Sequence, residues 1–301
     1  MSNKATKAGF VAVIGAPNAG KSTLVNHLVG FKVSIVTHKV QTTRTRIRGV
    51  CMHGASQIIF VDTPGIFEPK RKLDRAMVDA AWLGADDADL IIFLYDVTRR
   101  EVDSDTSRIL SGLKENNKEA ILVLNKIDLV KSELLLPIIK RFQEENIFSD
   151  TFMVSAENGS GCEKLLEYLS VRIPDSPWLY PKDEVSDLPQ RLLAAEITRE
   201  QMLLKLHQEL PYGATVETEE WTERDDGAIV INQIIYVKRP GHKKIALGRN
   251  GNMIKAIGKA SRQELQVLLD RTVHLFLFVK VRENWMEDPD RYTLWGLDPN
   301  A

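Results

Sequence analysis

Three short clusters of polar residues, each directly after an apolar run, carry the chemistry that this sequence can support. Gly15, Ala16, Pro17, Asn18, Ala19, Gly20, Lys21 and Ser22 spell G-x-x-x-x-G-K-S, with Thr23 in the helical pattern that follows. Glycines at those two places let backbone N–H groups turn inward around α and β phosphates, and the positive end of the next helix adds to the field. Lys21 is placed to reach the β and γ phosphates and Ser22 to ligate Mg²⁺. Asp62, Thr63, Pro64, Gly65 and Ile66 follow the run "QIIFV". The Asp62 carboxylate at that strand end suits Mg²⁺ through water, and the Gly65 N–H suits the γ phosphate. Asn125, Lys126, Ile127 and Asp128 close a third run, "AILVLN". An aspartate there can accept from N1–H and the 2-amino group of guanine. Adenine lacks that amine and would leave a buried carboxylate unpaired.

Further residues complete the reading. Asn125 is expected to tie the base loop to the phosphate loop, and the Lys126 stem to lie along the purine face. Ser155, Ala156 and Glu157 follow a sixth apolar run, where the Ala156 N–H can meet guanine O6. "QTTRTR", 41–46, can fold over the γ phosphate and supply a threonine to Mg²⁺, with Thr43 the first choice and Thr42 the second. Ile66 stands where many GTPases carry a glutamine that orients the attacking water. An isoleucine cannot orient water, so another group must do so or hydrolysis is absent.

The positioning elements follow from hydrophobic pattern. Residues 9–173 alternate apolar runs at 10–14, 47–53, 57–61, 90–97, 120–125 and 151–155 with amphipathic stretches near 21–29, 73–84, 104–116, 133–146 and 161–172. That alternation predicts an α/β P-loop domain, a mostly parallel six-stranded sheet with helices on both faces. "PDSPWLYPKDEVSDLP" holds four prolines in 174–189 and reads as a linker. The expected division is 1–174, a linker at 175–189, and a second domain at 190–301. In the latter, a long helix over 190–210 precedes two alternating strands joined at Asp226 and Gly227, two helical stretches within 245–269, and a strand from 273. This order predicts a small α+β fold.

Within the second domain, Gly248, Arg249, Asn250 and Gly251 form G-x-x-G, whose glycines let a nucleic-acid backbone approach while Arg249 and Asn250 meet phosphates. Ile254 can line the adjoining groove, and Lys243, Lys244 and Lys255 can hold the backbone. From Gly227 through Gln263 no acidic residue occurs, while eight residues are Lys or Arg. In a chain of net charge −1 such a stripe is an electrostatic footprint for nucleic acid, and single-stranded RNA is the expected ligand rather than DNA.

The bulk numbers exclude several classes. At 301 residues with 44% hydrophobic and 27% charged residues, the chain has the composition of a soluble two-domain protein. No apolar run approaches the roughly 18 residues of a membrane span. The N-terminus passes from a short polar tail into a strand without a cleavable apolar segment. Cys51 and Cys162 are the only cysteines, which fits a reducing cytosol and no disulfide framework.

"GAPNAGKSTL", "QTTR", "DTPG", "NKID" and "SAE", in this order and followed by the G-x-x-G domain, resemble the Era family of GTPases over essentially the whole chain. The resemblance implies GTP/GDP with Mg²⁺ bound by Ser22, Thr43 and Asp62, and a type II KH domain. It also implies a partner, the 3′ end of 16S ribosomal RNA in the 30S subunit, with a role in small-subunit assembly. Family members lack the catalytic glutamine, and some relatives hold K⁺ through an asparagine at the place of Asn18, with carbonyls of about 32–42 completing its shell. Asn18, Lys21 and Thr43 are therefore the expected catalytic residues. A cytoplasmic monomer with peripheral contact to the membrane is the further implication. A nucleotide-dependent RNA-binding protein without appreciable hydrolysis is the alternative reading. The GTPase domain of an RNA-modifying enzyme fits less well, because the second half offers no cofactor loop and no reactive cysteine.

Overall fold

The computed structural model describes residues 6–39, 42–99, 101–206 and 213–300. These fall into two compact units. One comprises the residues up to Ser34, Thr43–Asp187 and those from Tyr292 on, and the other Ile35–Thr42 with Leu188–Arg291.

The first unit is a six-stranded sheet in the order β2-β3-β1-β4-β5-β6. Its strands are β1 (Lys7–Ile14), β2 (Ile47–His53), β3 (Ser56–Asp62), β4 (Leu90–Asp96), β5 (Ala120–Asn125) and β6 (Phe148–Val154). Among the described strands of this sheet only β2, joined to β3 by a tight turn, pairs antiparallel. The remaining pairs are parallel. The helices are α1 (Lys21–Val29), α2 (Lys72–Asp86), α3 (Ser104–Glu115), α4 (Leu135–Gln143) and α5 (Cys162–Arg172). Every residue of β3 and β5 is buried, the expected result for strands covered on both faces. The parallel arrangement brings the C-terminal ends of β1, β3, β4 and β5 to one edge, where ligands of such sheets bind. The phosphate loop, Asp62, Asp96 and Asn125 all lie there.

The proline-rich segment is not a free linker. The Gln57 carboxamide accepts from the N–H groups of Leu179 and Tyr180 at 2.8 and 2.9 Å and donates to the Tyr180 carbonyl at 2.8 Å. The Val50 N–H donates to the Val185 carbonyl. Gln57 is fully buried, and these bonds satisfy its polar atoms. Residues to Asp187 thus count with the first unit, in place of the expected boundary at 174.

The second unit has α6 (Gln190–Lys205), β7 (Ala214–Glu223), β8 (Ile229–Val237), α7 (Pro240–Leu247), α8 (Asn252–Leu269) and β9 (Val273–Val281). Its sheet is ordered β7-β8-β9, with β7 and β8 antiparallel and β8 and β9 parallel. The predicted end of the long helix, 207–210, lies outside the described residues. The first of the two short helices starts earlier than predicted, with Pro240 at its first position, where a missing N–H costs nothing. A final helix, α9 (Pro289–Leu294), has no counterpart in the sequence reading. Among the described residues no helix is long and apolar enough to cross a membrane.

Candidate functional site

The phosphate loop is built by close approach. A Cβ on Gly20, whose φ is +98°, would lie 2.3 Å from Asn125 Nδ2, and one on Gly15 would lie 2.6 Å from the Leu94 carbonyl oxygen. Both positions need glycine for space, and Gly20 also for its left-handed backbone. Three cross-links fix the outer side of the loop. Arg99 donates to the Pro17 carbonyl at 2.6 Å, Lys126 to the Asn18 carbonyl at 3.0 Å, and Asn125 to the Ala19 carbonyl at 2.9 Å. Asp96, at the end of β4, accepts from Lys126 at 2.6 Å, and Asp103 pairs with Arg99. Arg99 and Asp96 escaped the sequence reading. The signal for Asp96 was available, since it ends an apolar strand as Asp62 and Asn125 do.

Lys21 is buried and donates to the Gly15 and Ala16 carbonyls, at 3.1 Å each. Burial brings its pKa down to about 8, against the pull of Asp62, while the Arg99 charge pushes the same way as burial. Such a group gains from an anion beside it.

Ser22, Thr43 and Asp62 come together. The Ser22 hydroxyl donates to Asp62 Oδ2 at 2.7 Å and lies 2.9 Å from Thr43 Oγ1. Asp62 is fully buried, and its other oxygen, Oδ1, has no hydrogen-bond partner among the described residues. Burial pushes its pKa up, opposed by Ser22, Lys21 and Thr43 among others. A buried carboxylate oxygen beside two hydroxyls is a donor set of hard oxygens that suits Mg²⁺. Of the two threonines, Thr42 lies 2.6 Å from the Thr37 hydroxyl and donates to the Lys39 carbonyl, so Thr43 is the one that joins Ser22. Gln41 lies outside the described residues.

In the "DTPGIF" loop, Thr63 donates to the Val13 carbonyl at 2.8 Å and is wholly buried, and Pro64 is buried too. Gly65 comes so close that a Cβ there would touch Pro17 at 3.0 Å. Ile66, which follows Gly65 in this loop, packs its side chain fully buried with Ala16, Val78 and Ala81, and its N–H donates to the Gly15 carbonyl. An aliphatic side chain at this position is drawn into the apolar core under α2, away from any water it could have met.

At the base-side loops, Asn125 performs the tie expected of it and one more. Its Oδ1 accepts from the Ala156 N–H at 3.0 Å, so the N–H expected to meet guanine O6 is engaged by Asn125 instead. The Asp128 carboxylate is exposed beside this loop, as are Glu157 and Asn18, the latter at φ +63°. Ser155 is buried and Lys126 has a left-handed backbone, φ +67°.

The second unit presents a different kind of site. Gly248 (φ +73°) ends α7, Asn250 and Gly251 are also left-handed, and α8 begins at Asn252. A Cβ on Gly248 would strike Met253 at 2.6 Å, whereas one on Gly251 would meet no atom of the described residues within 4 Å. Lys243, Lys244, Arg249, Asn250 and Lys255 are exposed, and so are Lys238, Arg239, Lys259 and Arg262. Burial and the charges of Arg239 and Lys238 push the His242 pKa down. Ile254 is half-buried against the core and Ile245 is exposed, which leaves apolar surface beside the cationic loop. An open, positive, glycine-bounded loop next to apolar side chains is fit to hold a nucleic-acid backbone.

Comparison with known proteins gives a family match in each half of the chain. Residues 10–126 match the family described as 50S ribosome-binding GTPase, and 209–286 match the KH domain family. The chain is 59% identical to GTPase Era of Rhizobium meliloti, an alignment spanning 97% of this chain and 93% of that protein. It is 60% identical to GTPase Era of Agrobacterium fabrum, over 97% and 92%. A crystal structure of Era in complex with MgGDPNP and nucleotides 1506–1542 of 16S ribosomal RNA superposes with a TM-score of 0.91 at 38% identity, covering 97% of this chain and 99% of that one. A variant of Aquifex aeolicus Era bound to GDP and AlF4⁻ gives the same TM-score, identity and coverage.

Proposed function

The chain belongs to the Era family of GTPases, and from that premise we propose that it is a switch in which GTP binding and hydrolysis govern its hold on the 3′ end of 16S ribosomal RNA during 30S subunit assembly. The observation that carries the reading is the position of Thr43. Its hydroxyl joins Ser22 at the phosphate site, while the residues just before it, Ile35–Thr42, pack within the RNA-binding unit. There Ile35 is buried with Ala194 and Ile197, the Val36 N–H donates to Glu200 Oε1, and Arg199 donates to the Thr42 carbonyl. A γ phosphate that draws Thr43 inward therefore pulls on a segment anchored to the RNA-binding fold.

The roles assigned to this chain's residues follow. The loop from Gly15 to Ser22, with Thr23, cradles the phosphates, and the Lys21 ammonium sits against the β and γ oxygens. Ser22, Thr43 and Asp62 would hold Mg²⁺, which supplies charge neutralisation at the β and γ phosphates when bound. Asn125, Lys126, Ile127 and Asp128 select guanine through the exposed Asp128 carboxylate, and the Ser155–Glu157 loop closes the far side of the base. Ile66 leaves water placement to backbone or ion, and Asn18, exposed on the loop, is the residue to hold K⁺. On the RNA side, Gly248–Gly251 admits the backbone, while Lys243, Lys244, Arg249 and Lys255 neutralise it and Ile254 supports the bases. Cytoplasmic location as a monomer, with peripheral contact to the membrane, belongs to the same reading.

Phosphate release measured in K⁺ and in Na⁺, with and without the RNA 3′ end, tests it. Faster release in K⁺ than in Na⁺, lost in Asn18→Ala, is the expected result. RNA affinity should also differ between the GTP-analogue and GDP states, because coupling between sites is reciprocal. Equal affinities would sink the switch. Release at background in every condition would leave a nucleotide-dependent RNA-binding protein.

A further inference from the structure

The residues that follow Thr43 are held by the far end of the chain. Thr43, Arg44 and Thr45 lie in an irregular stretch before β2 begins at Ile47, yet all three are buried. Irregular backbone is buried only where partners satisfy it. Trp295 meets the side chains of two of these three residues. The Thr45 hydroxyl donates to the Trp295 carbonyl, and the Arg44 guanidinium stands 5.8 Å from the centre of the Trp295 ring. Three residues earlier in the same C-terminal segment, the Tyr292 ring lies 5.9 Å from the Lys72 ammonium at the start of α2. Tyr292, Trp295 and Leu297 are themselves buried within the first unit. The segment from 292 to 297 thus straps both stretches that flank the β2–β3 hairpin, the one after Thr43 and the one after the "DTPGIF" loop.

A cavity gives the strap its consequence. Trp295 and Gly296 wall one side of a space of about 320 Å³ whose other walls include Phe10, Thr45, Arg46 and Arg48. Thr45 and Arg46 face this space beside the Trp295 ring, so truncating the ring would enlarge it and remove the Arg44 contact, leaving the two residues after Thr43, which lies 2.9 Å from Ser22, less firmly packed.

We propose that the C-terminal strap, through Trp295, is a positioning element for Thr43, so that residues beyond the KH fold set the geometry of the metal-binding threonine and with it the rate of GTP hydrolysis. The inference rests on Thr43 as a Mg²⁺ ligand. It implies that Trp295 acts on the GTP-bound reaction and leaves GDP binding alone, since GDP has no γ phosphate to draw Thr43 in.

Single-turnover hydrolysis across a Mg²⁺ titration, with GDP affinity and melting temperature measured in parallel, tests it on the full chain. Variants Thr45→Val, Trp295→Ala, Trp295→Phe and Thr43→Ala serve. Thr45→Val and Trp295→Ala should each slow hydrolysis about tenfold, the scale of a sub-ångström misplacement, and raise the half-saturating Mg²⁺ concentration. GDP affinity should stay within about twofold, and Trp295→Phe should recover most of the rate. Unchanged hydrolysis in both Thr45→Val and Trp295→Ala overturns the inference, as does a loss of GDP affinity in step with the rate, which marks mere structural support. Should Thr43→Ala itself leave the rate and the Mg²⁺ requirement untouched, the assignment of Thr43 falls, and the strap's role falls with it.

Discussion

The phosphate loop and the G-x-x-G loop both turn on left-handed glycines before a helix, yet they are built in opposite ways. The phosphate loop is cross-braced from outside: Arg99, Lys126 and Asn125 each take one of three successive carbonyls, from Pro17 to Ala19. The G-x-x-G loop presents Arg249 and Asn250 to solvent, and no described residue comes within 4 Å of where a side chain on Gly251 would begin. A compact, highly charged ligand of fixed shape rewards donors that are already in place, because none of its binding energy then goes into ordering the loop. A polymer backbone that arrives in many conformations is met by charge and open access instead.

Alanine at the two matched glycines breaks the comparison most sharply. Gly20→Ala drives a methyl group into Asn125 Nδ2 and strains a backbone at φ +98°, so it should abolish nucleotide binding and lower stability by several kcal/mol, roughly the sum of overpacking and left-handed strain. Gly251→Ala meets no atom of the described residues within 4 Å and should cost about 1 kcal/mol for its left-handed backbone. It should weaken RNA binding and leave GTP affinity unchanged. Nucleotide titration and thermal melts of the two variants decide it, and equal losses of GTP affinity would remove the contrast.

Ile66→Ala comes next. The side chain is wholly buried with Ala16, Val78 and Ala81, so the truncation should lower unfolding free energy by about 2–5 kcal/mol in denaturant titrations. Hydrolysis per folded molecule should persist. A variant with full stability and no hydrolysis would instead give the side chain a chemical role. The smallest effect belongs to the open loop. Lys255→Ala should weaken RNA binding a few-fold and reduce the slope of log affinity against log salt by roughly 0.7, the share of one phosphate contact on a single strand. An unchanged slope would place Lys255 outside the RNA path.

Much of this was legible in the chain because the motifs couple a residue type to a strand end. Ser22, Asp62 and Asn125 lie at one edge of the sheet because an apolar run fixes where a strand stops, and parallel strands stop at the same edge. Thr43 and Thr42 could not be separated by that logic. They are neighbours in a segment without periodicity, and only the 2.9 Å approach to Ser22 singles out Thr43. The Ala156 N–H was assigned to the base, whereas Asn125 takes it, a competition between partners that adjacency in sequence does not reveal. Ile66 was read for what it lacks; its burial shows what it does.

By itself the sequence determined the order of strands and helices, the glycines that the two loops need, the loop from Asn125 to Asp128 and the basic stripe, because these depend on local pattern and on residue chemistry. The tertiary structure alone decided that Gln57 pins the proline segment along β3, that Ile35–Thr42 pack with the second unit, and that Trp295 returns to hold Thr45. Those contacts join residues up to 250 positions apart. No periodicity spans such a distance, and only the packing of the folded chain selects which distant surfaces meet.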